Sequence, residues 1–197
     1  MGSEMCIRDS FNNVGGQVDT RALIDSAVTL SGGGTVALNG SETGLEGTGT
    51  LTNVNNTIRG AGVLAVDVVN QNVVMPENGR LQVADGFLLD NDAGRVEVAA
   101  TGVLDLSSTA VLSGGELSSE VGGQVGGGVL RDLTVTGELS QSVGRTTTLQ
   151  GTITNAGTLT FQSDNFNNFS GQVDTRFLID TDVTLALIHI SEPTRPY

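Results

Sequence analysis

Acidic side chains are the residues of this chain best suited to chemistry. Two carboxylates a few ångströms apart suffice for glycoside hydrolysis, and arginines beside them can clamp a substrate. The candidate clamps are Arg59, Arg80 and Arg95. Lyase chemistry is disfavoured, because the central part of the chain offers no Lys or His as a base. If neighbouring strands bring acids together, the candidate carboxylates are Asp67, Glu77, Asp85 and Asp105.

Two other segments resemble ligand loops. The run Asp90-Asn91-Asp92-Ala93-Gly94 looks like the start of a calcium loop, because oxygen ligands alternate and a glycine permits the turn. It lacks the bidentate acid expected later, which favours a hydrated Asp-rich turn. The glycine-rich residues 122–128 contain no phosphate-loop Lys and precede no helical pattern, so we expect a corner there. We therefore assign no catalytic, cofactor or metal residue, and we predict that the chain is not an enzyme.

Composition limits the function further. The 197 residues carry a formal net charge of −13, with nine Arg, no Lys, one Cys, one His and no Trp. A nucleic-acid groove needs clustered cations, and a disulfide scaffold or a Cys/His metal site needs several ligands. No apolar run reaches the length of about 18 residues that a membrane helix requires. We predict no nucleic-acid partner, no cofactor and no membrane span.

Both ends differ in composition from the rest of the chain. The DNA strand opposite a back-translation of Gly2–Ser10 encodes nine residues that match Leu185–Pro193 with one mismatch, at Ala186. Both ends therefore resemble adapter DNA of a transposase-based sequencing library, translated with the insert. We interpret residues 1–10 and 187–197 as artefacts and exclude them from fold reasoning. Residues 11–186 then carry seven Arg and nineteen acids, a net charge of −12.

A long repeat organises the remainder. The segment FNNVGGQVDTRALIDSAVTL at Phe11 recurs as FNNFSGQVDTRFLIDTDVTL at Phe166, with fifteen of twenty positions identical. The offset is 155 residues, so residues 11–165 form one complete unit and residues 166–186 begin the next copy. The shared VDTR is a candidate recognition element, although its recurrence follows from the duplication. We expect a piece of a larger tandem array.

A short pattern recurs inside the unit. A glycine is followed, after one residue, by aliphatic residues in alternation, which predicts a short strand leaving a tight turn. No stretch has sustained helical spacing, so the fold class is all-β. The pattern begins at Gly34, Gly49, Gly62, Gly79, Gly94, Gly102, Gly115, Gly128, Gly137, Gly151 and Gly157.

Among all-β folds, the sequence favours a right-handed parallel β-helix (solenoid). One unit contains only three Phe, at positions 11, 87 and 161, whereas an immunoglobulin-type sandwich centres on large aromatic residues. Solenoid coils bury short aliphatic side chains in a narrow column, and stacked Asn and Thr can form ladders along the axis. Asn53, Asn55, Asn56 and residues 146–148 are ladder candidates. Coils of roughly 20 residues would place about eight in one unit; a β-sandwich-type repeat is the alternative.

The stretches SGGGTVALNG, GTGTLTNVNNTIRGAGVL and LQGTITNAGTLTF support a family resemblance. They resemble the β-helical passenger repeats of bacterial filamentous-haemagglutinin-like and autotransporter adhesins, over most of residues 31–165. The segment VNQNVVMPENGRLQVADGF follows the style less closely. The resemblance implies a right-handed β-helix in a secreted or outer-membrane-associated surface protein.

We therefore expect a structural and adhesive rod, extracellular or at the cell surface. Its partners would be neighbouring repeats of the same chain and surface glycans or proteins of a host or the environment. The alternative is a fragment of a polysaccharide-active β-helix enzyme. Carboxylates that meet in a groove would favour the enzyme, and acids scattered around the coils would favour the rod.

Overall fold

The computed structural model describes residues 6–11, 18–160, 175–180, 184–186 and 190–191. Side chains are described for residues 20–160 and 175–180. The described residues form strands, turns and short connections, with no helix long and apolar enough to cross a membrane. The strands are β1 Cys6–Phe11, β2 Val18–Leu23, β3 Val28–Leu30, β4 Thr35–Asn53, β5 Thr57–Asn70, β6 Val73–Val83, β7 Leu88–Asp90, β8 Arg95–Val98, β9 Gly102–Ser113, β10 Glu116–Ser119, β11 Gln124–Arg131, β12 Thr134–Gln141, β13 Thr146–Gln150, β14 Thr152–Asn155, β15 Thr158–Thr160, β16 Arg176–Ile179, β17 Thr184–Ala186 and β18 Ile190–Ser191.

These strands wind into a parallel β-solenoid of about 7 turns. The described pairings are parallel and join strands of successive coils, except that β1 pairs antiparallel with β2. The predicted all-β solenoid is confirmed. The β-sandwich alternative is wrong, because the described sheet is built from parallel crossovers between coils, where a sandwich would pair antiparallel neighbours.

Each coil has three faces, which the chain visits in a constant order. Face 1 contains residues 35–39, 57–61, 73–76, 95–98, 116–119, 134–137 and 154–155. Face 2 contains residues 20–23, 43–46, 63–65, 81–83, 102–106, 124–127, 140–141 and 158–160. Face 3 contains residues 28–30, 51–53, 67–70, 88–90, 111–113, 129–131 and 148–150.

The coil length varies around the predicted value of 20. Face 1 restarts after steps of 16 to 22 residues, as the register partners Thr35, Thr57, Val73, Arg95, Glu116 and Thr134 show. The extra residues lie at corners, where the strand register shifts, so the pairing along each face is preserved. This variation explains why coil boundaries could not be located from the spacing of glycines alone.

The core is one continuous aliphatic column along the axis. In β5 buried and less buried residues alternate along the strand, so that Ile58, Leu64 and Val68 point inward. On face 3 the equivalent inward position of successive coils holds Leu or Val throughout, as in Leu51, Val68, Leu89, Leu112, Leu130 and Leu149. Phe87 packs against this column and is only partly buried. A buried Leu or Val contributes about 1.5–3 kcal/mol, so the stack is stable without a large aromatic centre.

The glycine-rich residues 122–128 contain a corner at each end, whereas the sequence predicted one corner for the whole run. Gly122 lies in a turn, residues 124–127 form the face-2 part of β11, and the register shifts between Gly127 and Val129, where face 2 gives way to face 3. Gly127 has φ 82°, and a side chain there would collide with the carbonyl oxygen of Leu106 in the preceding coil. Only glycine meets both requirements, which accounts for this part of the run.

Some domain predictions fall on residues that are not described. The boundary between the two copies, at residues 165 and 166, lies outside the described residues, as do residues 1–5 and 192–197. Residues 6–10 belong to β1. The interpretation of both ends as translated adapter DNA remains a prediction.

Candidate functional site

The four candidate carboxylates are engaged by different partners. Asp67 accepts a hydrogen bond from the backbone N–H of Leu88 in the next coil, at 2.9 Å. Glu77 lies at the corner after face 1 and accepts from Nε of Arg59, at 2.6 Å. Among the described residues no hydrogen bond or ion pair joins any two of the four acids, and each links one coil to another.

Asp85 accepts three hydrogen bonds from the next coil. Its Oδ1 lies 2.9 Å from Oγ of Ser108, and 3.1 Å from both the backbone nitrogen and Oγ1 of Thr109. The backbone N–H of Thr109, followed by the two hydroxyls, lowers the pKa of this exposed carboxyl below its ordinary value of 3.8. A general acid of glycoside hydrolysis needs a raised pKa, so Asp85 is held in the wrong state for that role.

Asp105 lies at the centre of a charged cluster on face 2. Its side chain is only 5% exposed, and it faces outward between the buried Leu104 and Leu106. Nη1 of Arg80 lies 3.2 Å from Oδ2. Nη2 of Arg145 lies 2.9 Å from Oδ1 and 3.0 Å from Oδ2. Because guanidinium groups occupy both oxygens and cover the carboxylate, Asp105 is not open to a substrate.

A glycine between the two coils, Gly126, leaves room for Arg145 to reach Asp105. Gly126 is the register neighbour of Asp105 in the following coil. A Cβ on Gly126 would lie 3.1 Å from both Cβ and Cγ of Arg145, and 2.8 Å from Cβ of Ser142. The arginine stem therefore lies over the bare backbone of one coil to reach an acid two coils away. Sequence reasoning did not identify Arg145 or the role of Gly126.

The three candidate clamp arginines each have a carboxylate partner. Arg59 pairs with Glu77, and Arg95 pairs with Glu97 on its own strand, both at 2.6 Å. Arg80 shares Asp105 with Arg145. These partly exposed pairs tie neighbouring chain segments together, and each contributes up to about 1 kcal/mol. They lie on faces 1 and 2 and form no common cluster.

The calcium-loop residues have other structural roles. Asn91 is fully buried, and its Nδ2 donates to the backbone oxygens of Gly114 and Glu116 in the next coil. Asp90 Oδ1 accepts from the backbone N–H of Asp92, at 3.2 Å, which closes a hydrated turn. In the described part of the chain no three His, Cys, Asp or Glu side chains group closely enough to hold a metal ion.

Asn91 belongs to a buried asparagine ladder at the corner between face 3 and face 1. Asn53 Nδ2 donates to Asn70 Oδ1 at 2.8 Å, and Asn70 Nδ2 donates to Asn91 Oδ1 at 2.7 Å. All three side chains are at most 1% exposed. Each also bonds backbone atoms of the corner, so the ladder fixes three successive turns to one another. Of the predicted ladder residues, Asn53 is a member.

The other predicted ladder residues accept hydrogen bonds from backbone groups of a neighbouring coil. Asn55 accepts from the backbone N–H groups of Gly32 and Gly33 in the preceding coil, at 2.8 and 3.0 Å. Asn56 accepts from the N–H of Gly34 at 2.7 Å. Thr147, within the predicted residues 146–148, is buried and accepts from the N–H of Gly127 at 3.1 Å. These bonds join adjacent coils, but they go to glycine backbone N–H groups, so the prediction that Asn55, Asn56 and Thr147 stack in the ladder is wrong.

The described residues of the VDTR element lie on different faces in the two copies. In the first copy, Arg21 lies on face 2, with Nη1 2.9 Å from Oε2 of Glu46. In the second copy, Thr175 accepts at Oγ1 from the N–H of Gly144, and Arg176 begins β16 beside β13. Asp174 lies outside the described residues.

Most of the polar side chains singled out by sequence bond from one coil to another; the pair Arg95–Glu97 lies within one strand, and Asp90 bonds within its own turn. The carboxylates, arginines and asparagines singled out by sequence are distributed over the corners and faces, and no described groove gathers them. Comparison of the chain with protein-family models, curated proteins and solved structures finds no match.

Proposed function

We propose that this chain is a segment of a structural and adhesive rod in a large secreted or surface-exposed bacterial repeat protein. In this proposal successive repeats stack coil on coil, so the rod lengthens by about 4.8 Å per coil. Its faces would carry contacts to glycans or proteins of a host or the environment. The proposed location, outside the cell or at the outer membrane, rests on the resemblance to haemagglutinin-like and autotransporter passenger repeats.

One observation carries the proposal: the four candidate carboxylates and the asparagine ladder form hydrogen bonds between coils. Asp67, Glu77, Asp85 and Asp105 each accept from a residue of another coil, and the asparagine ladder runs parallel to the axis. Scattered acids are the arrangement expected of a rod, whereas hydrolysis needs two carboxylates on opposite sides of one bond. The net charge of −13 also keeps parallel rods apart in solution.

Multivalency supplies the proposed mechanism of adhesion. A single weak contact repeated along a rigid rod binds a surface far more tightly than one copy does, because later contacts form at high effective concentration. No special pocket is needed in any one repeat. The rod supplies distance from the cell and a regular spacing of contacts.

The test is a paired binding and cleavage experiment. The full chain and a chain with three copies of residues 11–165 are applied to an array of immobilised glycans and matrix proteins. We expect weak binding by the full chain and at least tenfold higher apparent affinity for the three-copy chain on the same ligands. Equal affinities, or no binding to any surface, would contradict the adhesive role.

The same two chains are also assayed for polysaccharide cleavage, which tests the alternative that the chain is part of an enzyme. Each is incubated with neutral and acidic polysaccharides, and new reducing ends are measured. We expect none above a buffer control. Cleavage that is lost in Asp105→Asn or Asp85→Asn, and kept in the exposed-turn control Asp92→Asn, would replace the rod with a polysaccharide-active enzyme.

A further inference from the structure

The two copies of the long repeat occupy different faces of the solenoid. With an offset of 155 residues, Arg21 corresponds to Arg176 and Ala22 to Phe177. Leu30 likewise corresponds to Leu185. A repeat of a whole number of coils would place each pair on the same face, in line along the axis.

The first copy lies on faces 2 and 3. Its segment at Arg21 pairs with Gly44–Glu46 of the next coil, which is face 2. Its segment Val28–Leu30 pairs with Leu51–Asn53, which is face 3.

The second copy lies one face further around. Arg176–Ile179 pairs in register with Thr146–Leu149 of β13, the strand that continues face 3. Backbone hydrogen bonds support this register, from Arg176 N to Arg145 O at 3.0 Å and from Asp180 N to Leu149 O at 3.1 Å. The following strand, Thr184–Ala186, pairs with β14 on face 1. Both strands of the copy have moved by the same single face.

The count of coils gives the same result. Between the face-2 strand at residue 21 and Arg176 there are seven further face-2 strands, the last at residues 158–160. The strand at Arg176 is then the next face of that coil. One repeat therefore contains seven coils and one third of another, a little fewer than the eight expected from sequence.

The inward and outward positions of the repeat are unchanged by this shift. Ala22 and its counterpart Phe177 both pack against the core column. Ile24 is buried, and Ile179 is the register partner of the inward residue Leu149, although Ile179 is 57% exposed because no described strand covers β16 on its other side. Because strand side chains alternate with a period of two, the segment can move from one face to another and still present the same side to solvent. Outward residues such as Arg21 and Arg176 then point in different directions.

We propose that successive 155-residue copies of a tandem array are rotated by one face of the solenoid, so equivalent surfaces wind around the rod. This deepens the proposed function, on which its meaning for adhesion rests. A contact carried once per copy is displayed in three directions, and it returns to its first face after three copies. Three copies contain 22 coils, or about 105 Å of rod at about 4.8 Å per coil. Such a rod meets a surface with an equivalent contact from any side.

Disulfide trapping in the full chain tests the rotation. All variants carry Cys6→Ser, so that only introduced cysteines react. Thr148 and Leu178 are register partners on adjacent coils of face 3, and both point outward. Neighbouring parallel strands are about 4.8 Å apart, within the Cα separation that a disulfide tolerates. The matched control pairs Leu178→Cys with Thr160→Cys, an outward residue of β15, the face-2 strand that comes before Arg176 in the chain.

We expect mild oxidation to link Thr148→Cys to Leu178→Cys in most molecules, at least fivefold more than the Thr160→Cys control, as read by peptide mass spectrometry. A dominant link in the control pair would show that the copies are in phase and overturn the proposal, as would no link in either pair. Reduced variants should melt within about 2 °C of the Cys6→Ser parent, because all three sites are at the surface. The readout does not involve binding, so failure of the adhesion assay and failure of the rotation are separate results.

Discussion

Removal of the central asparagine of the ladder should be among the most costly polar substitutions in the chain. Asn70 is 1% exposed and lies between Asn53 and Asn91. In Asn70→Ala, Asn53 keeps a second acceptor, the backbone oxygen of Asn56, so about 1 kcal/mol is lost there. Asn91 Oδ1 loses the only donor that the described residues give it, and an unsatisfied buried acceptor costs about 1–3 kcal/mol. The expected loss of unfolding free energy is about 2–4 kcal/mol.

The assay is urea unfolding of the full chain followed by circular dichroism, with thermal melts alongside. A loss of this size lowers the Tm of a chain of this length by about 5–15 °C. The matched control is Gln71→Ala, because Gln71 is the exposed neighbour of Asn70 and should change stability by less than about 0.5 kcal/mol. A double-mutant cycle with Asn91→Ala should show coupling above about 0.5 kcal/mol. If Asn70→Ala and Gln71→Ala unfold alike, the ladder does not stabilise the coils as argued.

Three further predictions concern the core, the charged cluster and acid stability. Leu104→Ala, at a fully buried site of the column, should cost about 2–5 kcal/mol in urea unfolding, and a loss below 1 kcal/mol would count against a packed core. Gly126→Ala should cost about 1–3 kcal/mol, because its Cβ would displace Arg145 from Asp105; unchanged stability would show that the arginine does not need the bare backbone. The lowered pKa of Asp85 means that its contribution is complete above its unfolded pKa of about 3.8 and is lost as pH falls through the lower folded value. Asp85→Asn should therefore destabilise the chain at pH 6 and converge with the wild type as the pH falls below 3.8, measured as Tm against pH; a constant difference across this range would contradict the assignment.

The fold was predictable because the sequence pattern that specifies each strand is short and recurs along the chain. Glycine followed by alternating aliphatic residues describes a turn and a half-buried strand, as β5 shows. The scarcity of Phe favoured a solenoid over a sandwich core, and Phe87 indeed only flanks the aliphatic column. The number of coils was harder to predict, because steps of 16 to 22 residues hide the period.

The polar contacts were less predictable, because their partners are one or two coils apart in an irregular stack. Asn53 was identified as a ladder residue, but Asn70 lies 17 residues after Asn53 and Asn91 lies 21 residues after Asn70, so the spacing of the ladder is uneven along the chain. Asp105 was identified as a carboxylate of interest, but its partner Arg145 lies 40 residues away. Side-chain pairing in a solenoid depends on which residues face each other across coils. The strand register between coils determines those partners, and the register was known only from the structure.

The most direct test of a continuous stacked rod is the length of tandem chains in negative-stain electron microscopy. Chains with one, two and three copies of residues 11–165 should differ by about 35 Å per copy at constant width, as expected for coils about 4.8 Å apart. The three-copy chain should be a single straight rod with about 105 Å of coils. Separate globules joined by bends, or a width that grows with copy number, would contradict the account.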